Sequence, residues 1–206
     1  MKIYLVRHGE SEHNVDKSRM AHTHDSQHAL TDLGREQVAQ TGSFFRNHLD
    51  GQSIIFASPY RRTMETARAI RTKIPSDTPF YENLLLREWE LGNLYNFHNR
   101  TPEAKREFKA AGQLYFRFVN GESLADVYLR AGLFMQTKIM PLAQKSQYDN
   151  VILVTHAAFM HMMLAFLLNW PVEELSGFQP VENASVVVLE ESSDGEYSYE
   201  KVFVPC

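Results

Sequence analysis

Short apolar runs alternate with amphipathic segments along this chain, and the alternation predicts the fold. Apolar, β-prone runs occupy positions 3–6, 54–57 and 151–154, and further β-prone segments occur at 185–190 and 197–204. Runs of this length are typical of buried strands, and we expect the last two to pair antiparallel. Strands that alternate with helices predict an α/β protein, a three-layer α/β/α sandwich with a mostly parallel central sheet.

Predicted helices begin at hydroxyl side chains, which can accept a hydrogen bond from the first free amides of a helix. The predicted N-caps are Thr31 for a helix to about His48, Ser58 with Pro59 at the first helical position, Thr101, and Ser123 in a capping box with Asp126. A further helix is expected near 157–168. The least regular stretch, 93–121, predicts a lid insertion and not a separate domain.

Composition bounds the possible functions of the protein. The chain has 206 residues, of which 44% are hydrophobic, so a single domain spanning 1–206 with one sizeable core is expected. A net charge of −4 gives no support for nucleic acid or an acidic membrane as partner. Cys206 is the single cysteine, which excludes disulfides and cysteine-based metal sites. Met1 leads directly into a strand without a signal-peptide pattern, so a cytoplasmic location is expected.

Charged side chains follow the predicted strands. Arg7 and His8 end the first run, Arg62 follows the second, and His156 follows the third, with Glu88 between them in the chain. Carboxyl ends of parallel strands meet at one sheet edge, where open α/β sheets bind ligands. Two histidines, two arginines and one acid form a cationic pocket, which is suited to phosphoryl chemistry.

Five motifs in order resemble the histidine phosphatase superfamily. They are Arg7-His8-Gly9-Glu10-Ser11 with Asn14, the stretch 58–67 around Arg62, Leu86-Arg87-Glu88, Gly121-Glu122-Ser123, and Val154-Thr155-His156. The superfamily includes cofactor-dependent phosphoglycerate mutases, fructose-bisphosphatases and broad-range acid phosphatases. In its sequence motifs this chain most resembles the small broad-range acid phosphatases.

The resemblance implies a role for each catalytic candidate. Neutral His8 would attack phosphorus with one ring nitrogen while the other donates to a backbone carbonyl. Arg7, Arg62 and a protonated His156 would hold the phosphate oxygens, and Glu88 would protonate the leaving alcohol. Arg61, adjacent to Arg62, is expected to be solvated.

Further residues are expected to bind substrate. Asn14 adds a neutral donor, and Ala157 offers a backbone amide where many relatives have glycine. Arg117 lies among aromatic residues of the 93–121 stretch, and we expect it to hold a second anionic group of the substrate.

No metal or cofactor is expected, because fixed cations supply the charge and no carboxylate cluster suits magnesium. Four histidines, His13, His22, His24 and His28, offer zinc binding as the alternative, and His22 and His24 occur where many relatives carry a Gly-Trp segment. A polar histidine-rich loop is more often simply solvated.

Three functions remain open at this point. The favoured one is a metal-independent phosphomonoesterase that acts on small phosphorylated metabolites through a phosphohistidine intermediate. The second is a cofactor-dependent phosphoglycerate mutase, although 112–123 lacks the Trp-Arg-Arg segment and proline cluster of those mutases. The third is a protein that binds phosphate groups without turnover.

Overall fold

The computed structural model describes residues 1–175 and 181–206, and these residues form one six-stranded sheet. The strands are β1 (Lys2–Arg7), β2 (Ser53–Ala57), β3 (Phe80–Glu82), β4 (Asn150–Thr155), β5 (Val186–Glu191) and β6 (Tyr197–Phe203). Their order is β3-β2-β4-β1-β5-β6. β1 through β4 pair in parallel, whereas β5 runs antiparallel to β1 and β6 antiparallel to β5. The predicted strands are confirmed; β3 was not predicted.

Helices cover both faces of this sheet. They are α1 (Glu12–Val15), α2 (Asp32–His48), α3 (Arg61–Arg71), α4 (Pro102–Ala111), α5 (Leu124–Phe134), α6 (Met140–Lys145) and α7 (Ala157–Leu167). Side chains alternate along each strand. Tyr4 and Val6 therefore pack in a core with residues of α2 and α3, and Ile3 and Leu5 pack in a second core with residues of α5 and α7. The three-layer prediction is confirmed.

Three of the four predicted helix starts are confirmed. Thr31 Oγ1 accepts from the Gly34 amide at 3.0 Å, and the Thr101 side chain accepts from the Ala104 amide at 3.2 Å. Ser123 and Asp126 form the expected capping box. These caps are predictable because donor and acceptor lie within four residues of one another.

The start predicted at Ser58 and Pro59 is wrong. The helix α3 begins at Arg61, and Tyr60 before it is extended, with φ −66° and ψ 142°. The Ser58 hydroxyl lies 2.8 Å from His156 Nε2. It therefore bonds to a side chain distant in the sequence and does not cap α3.

The stretch 93–121 contains α4 and packs through aromatic rings. Phe108, Phe116 and Phe118 contact one another, and the ring of Phe118 lies 5.0 Å from that of Trp89. Glu122 N donates to Glu90 O at 2.8 Å, which ties the two ends of the stretch together. The insertion is therefore anchored beside Glu88.

Two glycines allow α2 to pack against the turn after β1. A Cβ atom on Gly9 would lie 2.6 Å from Gly34 O, and a Cβ atom on Gly34 would lie 2.0 Å from Glu10 O. Contacts this short are sterically impossible, so neither position accepts a side chain without movement of the backbone.

None of the helices in 1–175 and 181–206 has the length and apolar character needed to cross a membrane.

Candidate active site

The carboxyl ends of β1, β2 and β4 bring the predicted residues together. Arg7 pairs in register with Thr155, and Ala57 with Val154, so the residues after each strand are neighbours. His8 N donates to Thr155 O at 3.1 Å, and Ser58 N donates to Val154 O at 3.0 Å. The ring centroids of His8 and His156 lie 5.3 Å apart.

The hydrogen bonds of His8 determine its tautomer. Nδ1 lies 2.7 Å from Gly9 O, and Nε2 lies 3.2 Å from Arg62 Nε. A carbonyl oxygen only accepts and a guanidinium only donates, so Nδ1 carries the proton and Nε2 carries the lone pair. Burial, with the charges of Arg62 and Arg7, holds the pKa of His8 well below its usual value. These surroundings favour the neutral ring over the imidazolium.

Arg62 is fully buried and is bound by an acid that was not predicted. Its Nη2 lies 2.9 Å from Asp25 Oδ2 and its Nη1 lies 3.1 Å from Asp25 Oδ1. Nη1 also donates to the backbone oxygen of Asp25. The side chain of Asp25 is 5% exposed. No sequence pattern distinguishes this acid from the other polar residues of its segment.

His156 is buried beside His8. Its Nε2 bonds to Ser58 Oγ at 2.8 Å, and its Nδ1 has no hydrogen-bond partner in the described residues. Burial and then the charge of Arg62 hold the pKa of His156 well below its usual value. The expected protonated state is not supported by these surroundings, because a second buried cation is disfavoured beside the first.

Glu88 lies at the amino terminus of α7. Its Oε1 accepts from Trp89 N at 2.9 Å and from Ala158 N at 3.2 Å. Burial raises the pKa of Glu88 above its usual value, which favours the protonated form. Glu88 lines the same cavity as Asp25.

The loop that carries Glu88 is held by a buried arginine of α5. Arg130 donates to the backbone oxygens of Leu85, Arg87 and Glu88 at 2.7, 2.8 and 3.1 Å. The same guanidinium binds the carboxylate of Glu122 at 3.0 Å. Glu122 therefore helps to hold the loop in place through Arg130. Its motif in the sequence did not indicate this role.

Arg7 and Asn14 border the site from the β1 side. Arg7 Nη1 donates to Val181 O, whereas its Nε is buried without a partner in the described part of the chain. Asn14 Oδ1 accepts from Ser11 N at 3.0 Å. Asn183 Nδ2 contacts Asn14 Oδ1 at 3.3 Å and His8 O at 3.0 Å, which links the two segments.

A cavity of about 370 Å³ opens next to Asp25 and Glu88. The predicted residues Arg7, His8, Arg62 and His156 are not among the residues that line it. The predicted residues that line it are Asn14, Glu88 and Ala157. His13, indicated by the sequence only as a zinc-ligand candidate, and Tyr95, indicated only as an aromatic residue of the 93–121 stretch, also line it. Lys17, Asp25 and Arg100 line it as well, and the sequence did not indicate them. Burial and then the charge of Arg62 lower the pKa of His13 to about 4.

Arg117 is not brought into this cavity. Its guanidinium is exposed and binds the carboxylate of Asp126 in the first turn of α5. Arg61 is also exposed and bonds to Glu65 at 2.8 Å, as expected for the solvated member of the arginine pair.

The histidine-rich segment is mostly exposed. His22 lies at the surface, and His24 Nδ1 bonds to Ser26 Oγ at 2.9 Å. Within 1–175 and 181–206, no three histidine, cysteine or acidic side chains lie close enough together to hold a metal ion.

The fold and the residues at the carboxyl ends of β1, β2 and β4 define a class of protein. Its members are three-layer α/β proteins that have buried histidines and an arginine where the parallel strands end. The model of the histidine phosphatase superfamily (branch 1) matches residues 3–202, and the chain belongs to this superfamily.

Similar proteins include phosphatases and a mutase-like protein. The phosphoglycerate mutase-like protein AT74H of Arabidopsis thaliana is 29% identical, over 96% of this chain and 76% of its own length. The broad-range acid phosphatase DET1 of Saccharomyces cerevisiae is 33% identical, over 51% of this chain and 32% of its own length. The alpha-ribazole phosphatase of Shigella flexneri has the same fold, with a TM-score of 0.77, 21% identity, and coverage of 98% of this chain and 95% of its own.

Proposed function

We propose that this protein is a metal-independent phosphomonoesterase that hydrolyses small phosphorylated metabolites through a phosphohistidine on His8. One observation carries the proposal: the bond from Nδ1 to Gly9 O leaves the Nε2 lone pair beside the buried Arg62. An arginine held there can bind the oxygens of a phosphoryl group while Nε2 attacks its phosphorus. The superfamily membership and the phosphatase among the relatives support the same activity.

The reaction divides into two displacements. In the first, His8 Nε2 forms a bond to phosphorus, the ester P–O bond breaks, and Glu88 gives its proton to the leaving oxygen. In the second, Glu88 takes a proton from water as the water oxygen attacks phosphorus, and the N–P bond breaks. The raised pKa of Glu88 suits a group that is protonated when substrate binds.

Arg7 and Arg62 stabilise the charge that the equatorial oxygens carry in both displacements. His156 bonds to Ser58 through Nε2, and its Nδ1 is buried without a partner in the described residues. A phosphate dianion would favour proton uptake by His156, because a nearby opposite charge stabilises the imidazolium.

Rapid-quench trapping tests the proposal. Wild-type protein mixed with a labelled phosphomonoester and quenched in base is expected to retain covalent label that acid releases, because phosphohistidine is acid-labile. His8→Ala should retain none. His48→Ala is the matched control, because His48 is exposed and bonds to Phe44 O, away from the sheet edge.

Label that survives in His8→Ala, or turnover in that variant at the wild-type rate, would assign the nucleophile elsewhere. Phosphoenzyme that forms without release of inorganic phosphate would instead favour the mutase, which the name of the Arabidopsis relative makes the second candidate. Incubation with 3-phosphoglycerate and detection of the 2-isomer distinguishes the two.

A further inference from the structure

The guanidinium that the proposed reaction needs is already bound by an acid of the same chain. Arg62 Nε donates to His8, and both terminal nitrogens donate to Asp25. We propose that Asp25 is a built-in competitor of the substrate, whose carboxylate occupies the place of the phosphate on Arg62 and must be displaced when a phosphoryl group binds. This inference rests on the proposed function, because it assigns Arg62 to the phosphoryl group.

The pairing is bidentate and shielded from water. Arg62 is fully buried and the side chain of Asp25 is 5% exposed. A guanidinium presents one fork to a planar or tetrahedral anion, so a carboxylate and a phosphate compete for it. A phosphate dianion beside the Asp25 carboxylate would also be repelled, and this repulsion is strong where water is excluded. The two anions therefore exclude each other from Arg62.

Displacement requires movement of the backbone as well as of the side chain. Arg62 Nη1 also donates to the backbone oxygen of Asp25. A change of the Asp25 rotamer alone would leave this contact in place. The segment 15–24 before it is mostly exposed, whereas Asp25 and His28 are buried. The segment is therefore fixed mainly near its carboxyl end, where the contacts to Arg62 lie.

The competition lowers the affinity for every phosphoryl group by the same factor. Inorganic phosphate and very small esters make only the contacts of the phosphoryl group. Part of the binding energy from these contacts offsets the loss of the contacts between Asp25 and Arg62. A larger leaving group can also contact Trp89, Leu91 and Tyr95, which line the cavity. Binding energy from such remote contacts can be used to displace Asp25. Product phosphate, without those contacts, is readily exchanged for Asp25 and leaves.

Calorimetric titration with inorganic phosphate tests the competition directly. Asp25→Asn keeps the shape of the side chain but removes its charge, and we expect it to bind phosphate about tenfold more tightly than wild type. Asp32→Asn removes the same charge from a fully exposed side chain and should leave the affinity unchanged. An equal or weaker affinity in Asp25→Asn would overturn the proposal.

Kinetics with two alkyl phosphates tests the competition during turnover. Methyl phosphate and 2-phenylethyl phosphate have chemically similar leaving oxygens but differ in size. Displacement of Asp25 costs the same for every phosphoryl group, so Asp25→Asn should raise kcat/KM about tenfold for both esters, through a lower KM, and leave the ratio of the two values unchanged. An unchanged or lower kcat/KM for both esters would show that Asp25 only supports the structure.

Hydrogen exchange on the wild type supplies a test that needs no variant. Saturation with inorganic phosphate should speed amide exchange in 22–28, because Asp25 leaves Arg62. Unchanged or slower exchange there would overturn the proposal. These binding measurements do not depend on turnover, so their failure is separable from failure to trap a phosphoenzyme on His8.

Discussion

At the scale of single residues, the buried acid and the buried histidine of the site have pKa shifts of opposite direction. Burial raises the pKa of Glu88, while burial and two arginines lower that of His8. The protonated acid and the neutral nucleophile therefore coexist over a wider pH range than unperturbed groups would allow. Activity should fall at low pH as His8 gains a proton and at higher pH as Glu88 loses its own. The bell-shaped profile reports the coupled groups together.

Glu88→Gln tests this assignment. The amide has no proton to give, so hydrolysis of alkyl phosphates should slow by about 10²–10⁴-fold, and the alkaline limb of the profile should disappear. Nitrophenyl phosphate should be affected far less, because its leaving group hardly needs a proton. Glu82→Gln, on the exposed end of β3, is the control. Equal losses for both esters would show that Glu88 has only a positioning role.

At the scale of elements, α5 and the loop before it form one unit. Arg130 binds three backbone oxygens of the loop and the carboxylate of Glu122. Arg130→Met should lower the free energy of unfolding by about 1–3 kcal/mol, because three backbone oxygens lose their donor while Glu122 keeps Arg87 as a partner. It should also lower kcat, since the backbone of Glu88 loses a contact that holds it in place. Both effects are measurable by urea unfolding and by steady-state kinetics.

Arg117→Met is the matched control for that variant. Arg117 pairs with Asp126 at the surface, where a single ion pair contributes roughly 0–1 kcal/mol. Its stability and kcat should stay close to wild type. If Arg117→Met lost as much stability and kcat as Arg130→Met, the buried and the exposed ion pair would contribute equally, and burial would not explain the role of Arg130.

Local elements were predictable from the sequence, and longer-range contacts were not. Thr31 and Ser123 bond to amides three residues away, so the motif contains both partners. Ser58 resembled them, but His156, a distant residue, binds its hydroxyl. The three-residue strand β3 is too short for a hydrophobic pattern to reveal.

The same distinction applies to the site. His8 and His156 could be placed together because parallel strands end at one edge. Asp25 and Tyr95 reach the cavity from irregular segments, and no periodicity indicates where such segments fold. Arg117 was expected in the cavity, but an acid of the nearby capping box binds it.

At the scale of the whole molecule, a chain with net charge −4 concentrates cations at one sheet edge. Arg7 and Arg62 lie close enough to repel each other, and Lys17 and Arg100 line the cavity next to Asp25. In the proposed mechanism side chains of the protein supply the charge that phosphoryl transfer needs, so prolonged dialysis against a chelator should leave turnover unchanged. Complete loss of activity that zinc or magnesium restores would instead make the histidine-rich segment a ligand set.

The contact between Gly9 and Gly34 has a consequence for mutational surveys of this protein. In a library scored by enzyme activity alone, position 34 should tolerate substitution as poorly as His8, although it lies on α2 and reaches no substrate. Its intolerance arises from the backbone of Glu10, which leaves no room for a Cβ atom. Protein abundance in the same library separates the two: variants at His8 should accumulate normally, and variants at Gly34 should be depleted from the folded pool.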